Sequence, residues 1–136
     1  MKLLIDANII LDVLQKREPH YNESSLIWKM CETRQIEGYL SSLSIANLVY
    51  VMRKELNAKQ IEDVITDLRL IFNIVDFTET DLLKAASMKW NDFEDAIQSA
   101  TAERIHAEYI ITRNVRDFLK SKVIAFTPTE FLARLL

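Results

Sequence analysis

Five short β-prone runs punctuate this chain, at Leu3-Leu4-Ile5, Tyr39-Leu40-Ser41, Asn73-Ile74-Val75-Asp76-Phe77, Tyr109-Ile110-Ile111-Thr112 and Val123-Ile124-Ala125. Most of the stretches between them carry helical periodicity, and this alternation restricts the fold more than any other feature. Antiparallel strands can be joined by a tight turn, whereas parallel strands need a crossover of about a dozen residues, which a helix usually fills. The first run is apolar throughout, as a strand buried on both faces requires. The pattern predicts an α/β fold with three α/β/α layers and a central parallel sheet of about five strands.

The intervening segments read as helices. Ile9, Ile10, Val13 and Leu14 share one face directly after the first run. Pro19 is expected to open a second helix with Leu26, Ile27, Met30 and Cys31 inward, after which Glu37-Gly38 turns the chain into the second strand. Ser44 is expected to cap a third helix with Ile45, Leu48, Val49 and Met52 inward. A fourth covers Ala58 to Phe72. A fifth starts from Thr78 with Leu82, Leu83 and Ala86 packed inward. A sixth starts from Asp92 with Phe93, Ala96, Ile97 and Ala100 buried, and Thr127-Pro128-Thr129-Glu130 has the form of a capped helix start.

One glycine and two prolines in 136 residues leave little room for a linker, so the expectation is a single domain over 1–136. The net charge of −3 argues against a broad basic field for nucleic acid, though a local patch or a metal ion could still hold phosphate. Cys31 is the only cysteine, which fits a reducing compartment. Charges interrupt every apolar run before membrane-spanning length, so the expectation is a cytoplasmic protein without a membrane partner.

Topology then makes a prediction about chemistry. In a parallel sheet the helix N-termini gather at the carboxyl edge of the strands, where ligands bind. Asp6 and Asn8 follow the first strand there, Asn47 lies near the start of the helix after the second, Asp92 and Asp95 begin the helix before the fourth, and Thr112, Asn114 and Asp117 follow that strand. Carboxylates crowded in one cleft repel unless a cation compensates, and Mg²⁺ or Mn²⁺ favours such oxygen donors. The competing reading is that Asp6, Asp92 and Asp95 only satisfy helix ends. Arg113, Arg116 and Lys120, with Lys122, form a basic cluster beside the acids that could hold phosphate. His20 and His106 have no partner at metal-ligand spacing, Trp28 and Trp90 read as packing residues, and no glycine-rich phosphate loop is present.

The runs Leu4-Ile5-Asp6-Ala7-Asn8-Ile9-Ile10-Leu11-Asp12, Asp92-Phe93-Glu94-Asp95-Ala96 and Ile110-Ile111-Thr112-Arg113-Asn114-Val115-Arg116-Asp117-Phe118 resemble the motifs of the PIN-domain family, in particular its small bacterial VapC-type toxins. The resemblance covers almost the whole chain. It implies a ribonuclease dependent on Mg²⁺ or Mn²⁺, with Asp6 and Asp95 as principal metal ligands and Asp117 as a further acid. Thr112, Asn114, Asn8, Asn47 and Asp92 would support the site. The expected associations are RNA, an antitoxin protein and a second copy of the chain in a homodimer.

The sequence departs from the family pattern at Asn47 and Asn114, where acids are usual. An asparagine supplies an oxygen without charge, which favours one metal over two. The alternatives are a catalytically weak or inactive member acting as an RNA-binding or protein-interaction module, and a small-molecule phosphatase with Asp6 as nucleophile. The second lacks an acid two residues on, since Asn8 stands there.

Overall fold

The computed structural model describes residues 1–135. Five strands, β1 (Lys2–Ile5), β2 (Glu37–Ser41), β3 (Asn73–Val75), β4 (Tyr109–Ile111) and β5 (Ile124–Phe126), form one sheet in the order β3-β2-β1-β4-β5. Every pairing is parallel. The connections run outward from β1 to β2 and β3, then return to β4 and continue to β5. This order makes β1 the switch point, where the strand connections change direction and a crevice opens at the carboxyl edge.

Among the described residues seven α-helices cover the sheet: α1 (Ala7–Leu14), α2 (Tyr21–Glu32), α3 (Ser42–Val51), α4 (Ala58–Ile71), α5 (Glu79–Met88), α6 (Phe93–Arg104) and α7 (Pro128–Arg134). The period-two alternation of the central strands builds two cores. Leu3, Ile5, Leu40 and Ile111 pack with α1, α2, α3, α4 and α7, while Leu4 and Ile110 pack with Ala102 of α6 and Phe118 of the loop beyond β4. The expected three layers and parallel sheet are both present.

Several local expectations are corrected. Pro19 lies in the turn before α2, which begins at Tyr21, and Leu26 is exposed rather than inward. Gly38 lies inside β2 instead of turning the chain into it. A Cβ on Gly38 would sit 2.5 Å from Cys31 Sγ and 2.8 Å from Phe72 Cδ1, so β2 approaches α2 and α4 closely there. Gly38→Ala should therefore destabilise by about 1–3 kcal/mol through overpacking, measurable as a fall in denaturant midpoint at unchanged slope.

Ser44 is not a cap. β2 runs on to Ser41, whose Oγ accepts the Leu43 N–H at 3.2 Å, so α3 starts earlier than expected and Ser44 is buried within it. On α5, Leu82 and Leu83 are exposed, as is Ala86, and the inward positions belong to Asp81 and Ala85. The cause is a tertiary ion pair. Asp81 is almost fully buried, accepts Arg104 Nε at 2.8 Å and Nη2 at 3.0 Å, and closes a capping box with Thr78. That clamp ties α5 to α6 and sets which face of α5 turns inward. Phe93, at the start of α6, is likewise exposed.

Candidate active site

Asp6 ends β1 and sits at the N-cap position of α1, yet its side chain caps nothing. Its Oδ2 instead accepts Thr112 Oγ1 at 2.7 Å and Asn8 Nδ2 at 3.3 Å. The carboxylate therefore reaches away from the helix end toward the loop after β4, while the Ala7 and Asn8 N–H groups at the start of α1 still favour its ionised form. Thr112, fully buried just beyond β4, is the pivot. Its hydroxyl donates to Asp6 and accepts the Asn114 N–H at 3.1 Å, which fixes the loop after β4 against the end of β1. Burial drives the Asp6 carboxyl above the usual carboxylate range, against the Thr112 hydroxyl, the Ala7 N–H and the Arg113 charge, which favour its ionised form.

Asp95 arrives from the first turn of α6. Asp92 is the N-cap there, with Oδ1 accepting the Asp95 backbone N–H at 3.1 Å. Asp92 thus fits the capping reading, and it frees the Asp95 carboxyl to point elsewhere. That carboxyl is pushed up to about 7, first by burial and then by the charges of Asp92, Asp6, Asp117 and Glu94. The fold thus places residues from the end of β1, from α6 and from the 3-10 turn Val115–Phe118 in one electrostatic neighbourhood.

A cleft of ≈ 300 Å³ opens beside these acids. Asp92, Asp95 and Asp117 line it together with Lys89, Arg116 and Lys120. Lys89 and Trp90 were not among the residues singled out for the site. Lys89 adopts a left-handed backbone at the end of α5, and that turn brings both onto the cleft wall. Trp90 also packs edge-on against Phe118, 6.2 Å between ring centres, as the packing reading expected. Lys122 lies 4.0 Å from Glu103 and does not line the cleft.

Three expected supporting residues have mixed placements. Asn8 donates to Asp6, and its Oδ1 is buried without a hydrogen-bond partner among the described residues. Asn114 joins the site through its backbone N–H, while its side chain makes no capping bond and the residue is exposed. Asn47 is half-buried in the second turn of α3, because Ser41 rather than Ser44 caps that helix. Arg113 departs most from a free phosphate-binding arm. Its Nε lies 3.0 Å from Oδ2 of Asp12, a carboxylate with no exposed surface. An acid among the buried apolar positions of α1 is a signal visible in the sequence, but it carried no assigned role.

With this geometry in place, comparison with known proteins gives a consistent answer. The family model described as PIN domain matches residues 2–116. Ribonuclease VapC1 of Aquifex aeolicus (strain VF5) is 24% identical over 98% of this chain and 94% of its own length. Among solved structures, a toxin-antitoxin complex from Klebsiella pneumoniae contains a chain similar at a TM-score of 0.72 and 22% identity, covering 93% of this chain and 97% of that one. FitAcB from Neisseria gonorrhoeae gives a TM-score of 0.69 at 22% identity, covering 93% of this chain and 98% of that one. The chain belongs to the PIN-domain family.

Proposed function

We propose that this protein is a divalent-metal-dependent ribonuclease that hydrolyses phosphodiester bonds in single-stranded RNA, acting in the cytoplasm as the toxin of a toxin-antitoxin pair. The observation that carries this reading is the convergence of Asp6 and Asp95 from opposite sides of the switch point, with Asp95 held near 7 by its acidic neighbours. Such a cluster stores repulsion that a cation relieves. Similarity to a ribonuclease and to a chain from a toxin-antitoxin complex supports the substrate class and the partner. No helix among the described residues is long and apolar enough to cross a membrane.

The donors fit a hard ion such as Mg²⁺ or Mn²⁺. Both side-chain hydrogen bonds to Asp6 fall on Oδ2, so its Oδ1 meets no side-chain donor, and the unpartnered Asn8 Oδ1 would supply a neutral oxygen. Among the described residues no three Asp, Glu, His or Cys side chains form a ready cage for one ion. The arrangement is therefore an open site of few protein ligands, which suits an ion that keeps several waters. Asp6 and Asp95 would hold it, with Asp117 nearby. When bound, the ion supplies charge neutralisation at the phosphate and a more acidic attacking water. Thr112 keeps Asp6 in one orientation, Asp92 keeps the start of α6 in place, and exposed Arg116 and Lys120 draw the RNA backbone to the cleft.

The test is incubation of a short single-stranded RNA with the protein, with and without Mn²⁺. Cleavage products confined to the divalent-containing reaction are expected. Asn47 and Asn114, neutral where acids are usual, favour a second reading as an inactive RNA-binding or protein-interaction module. Binding of the RNA without any divalent-dependent cleavage would establish that reading in place of the first.

If Arg116 and Lys120 contact phosphates, the pair of alanine substitutions Arg116→Ala and Lys120→Ala should weaken RNA binding and flatten its salt dependence. The slope of log K against log salt should shrink by about 0.7 per lost contact on a single strand. Fluorescence anisotropy across a salt series measures it, and an unchanged slope would show these cations to be ordinary solvated charges.

A further inference from the structure

Asp12 is buried without any exposed surface, and its Oδ2 accepts Ser24 Oγ at 3.0 Å and faces Arg113 Nε at 3.0 Å. The contact joins α1 to the residue directly after Thr112, in the loop that Thr112 ties to Asp6. The Arg113 N–H is poorly aligned for a hydrogen bond, and Asp12 Oδ1 has no partner among the described residues. A network this incomplete is a poor stability device, because a buried ion pair adds little net stability even when fully satisfied. What it does achieve is to immobilise a guanidinium. Arg113 lies close enough to Asp6 for its charge to act there, and it also lines a second cleft of ≈ 200 Å³ with His20, Glu23, Ser24 and Thr127. Arg113 is the one permanent cation among the residues lining that cleft, and Glu23 opposes it. A phosphate bound there depends on where this guanidinium is held.

We propose that Asp12 is a positioning residue that fixes the Arg113 guanidinium between the acid site and the second cleft, where its terminal nitrogens contact an RNA phosphate next to the cleaved one. The inference rests on the RNA reading of the site. A cation held in place before binding loses less side-chain freedom when the phosphate arrives, and its planar fork suits phosphate oxygens. Asp12 acts entirely through Arg113 and has no contact with the substrate.

The experiment measures binding of a fluorescently labelled single-stranded RNA in EDTA, so that affinity is read apart from cleavage. Asp12→Asn keeps the shape of the side chain and an acceptor for Ser24, and circular dichroism establishes that it is folded. It should weaken RNA binding about tenfold and reduce the salt slope by about 0.7, a change that a purely structural role would not produce. The double variant Asp12→Asn/Arg113→Met leaves no unpaired buried charge and should bind no more weakly than Asp12→Asn alone. Wild-type affinity in either variant, an unchanged salt slope for Asp12→Asn, or a further tenfold loss in the double variant would overturn the proposal. Should Asp12→Asn not fold, Ser24→Ala loosens the same clamp with the charge retained, and its salt slope decides the matter on the same terms. Wild-type protein that binds RNA in EDTA but cuts none with Mn²⁺ present would sink the ribonuclease reading alone.

Discussion

Asp6→Asn and Asp95→Asn are each expected to abolish divalent-dependent RNA cleavage while the protein remains folded. The two residues lie at the carboxyl edge rather than in either core, at the end of β1 and in the first turn of α6. Each substitution preserves side-chain volume and removes one negative charge from the proposed cation site. Losing even an outer partner of a metal site lowers affinity or activity by about 10–100-fold, so loss of a direct ligand should exceed that. Asp6→Asn keeps an oxygen that can accept the Thr112 hydroxyl, and Asp95→Asn leaves the backbone N–H that Asp92 caps. Both changes keep the bonds from Thr112 and Asp92 that tie the site to the fold. The measurements are cleavage of a short RNA with Mn²⁺, calorimetric titration of Mn²⁺, and thermal unfolding. Undiminished cleavage in either variant would remove that residue from the site, and unfolding of Asp6→Asn would mean that the Thr112 bond serves the fold first.

What could be read in the sequence was whatever is encoded locally. The five strands follow from compact β-prone runs, and the carboxyl-edge placement of Asp6, Asp95 and Asp117 follows from parallel topology alone. The helix start at Thr78 and the capped start at Thr127 are equally local and appear as expected, and at Thr78 the cap is completed by Asp81. The failures have other causes. The face that α5 turns inward is chosen by Asp81 reaching Arg104 across 23 residues, so a hydropathy reading puts Leu82 and Leu83 in the core when both are exposed. Arg113 reads as a phosphate-binding cation because nothing near it in sequence shows Asp12, which reaches it from α1. The start of α3 slipped because Ser41, Ser42 and Ser44 are equally good caps in isolation, and the length of β2 decides among them. Distant polar pairs account for the errors at α5 and Arg113, and although a buried acid such as Asp12 stands out in the pattern of α1, one sequence does not show which cation it meets.

The same crowding that suits Asp95 to a cation makes it a burden on the fold when no cation is present. Its carboxyl ionises near 7 in the folded protein, against 3.8 ordinarily. Below about pH 4 the group is protonated in both states and exacts no penalty. Between about pH 4 and 7 the unfolded chain releases this proton while the folded one keeps it, so stability falls as pH rises, and above 7 the full penalty is present. Asp95→Asn removes the charge and with it this dependence. In the absence of divalent ions at pH 8, the variant should therefore be more stable than the wild type. The gain is about 1–2 kcal/mol after discounting for solvent around a half-buried group, or roughly 4–8 °C in melting temperature. The difference should shrink steadily as pH is lowered toward 4. Mn²⁺ at a hundredfold excess over its dissociation constant should then raise the wild type by about 2.7 kcal/mol and leave the variant nearly unmoved, reversing the order. Differential scanning calorimetry at pH 4, 5.5 and 8, with EDTA or Mn²⁺, reads all of this from one pair of proteins. A variant no more stable than wild type at pH 8 in EDTA would show that the acids are relieved by hydration or side-chain movement rather than held in conflict, and the case for a cation at this edge would lose its electrostatic basis.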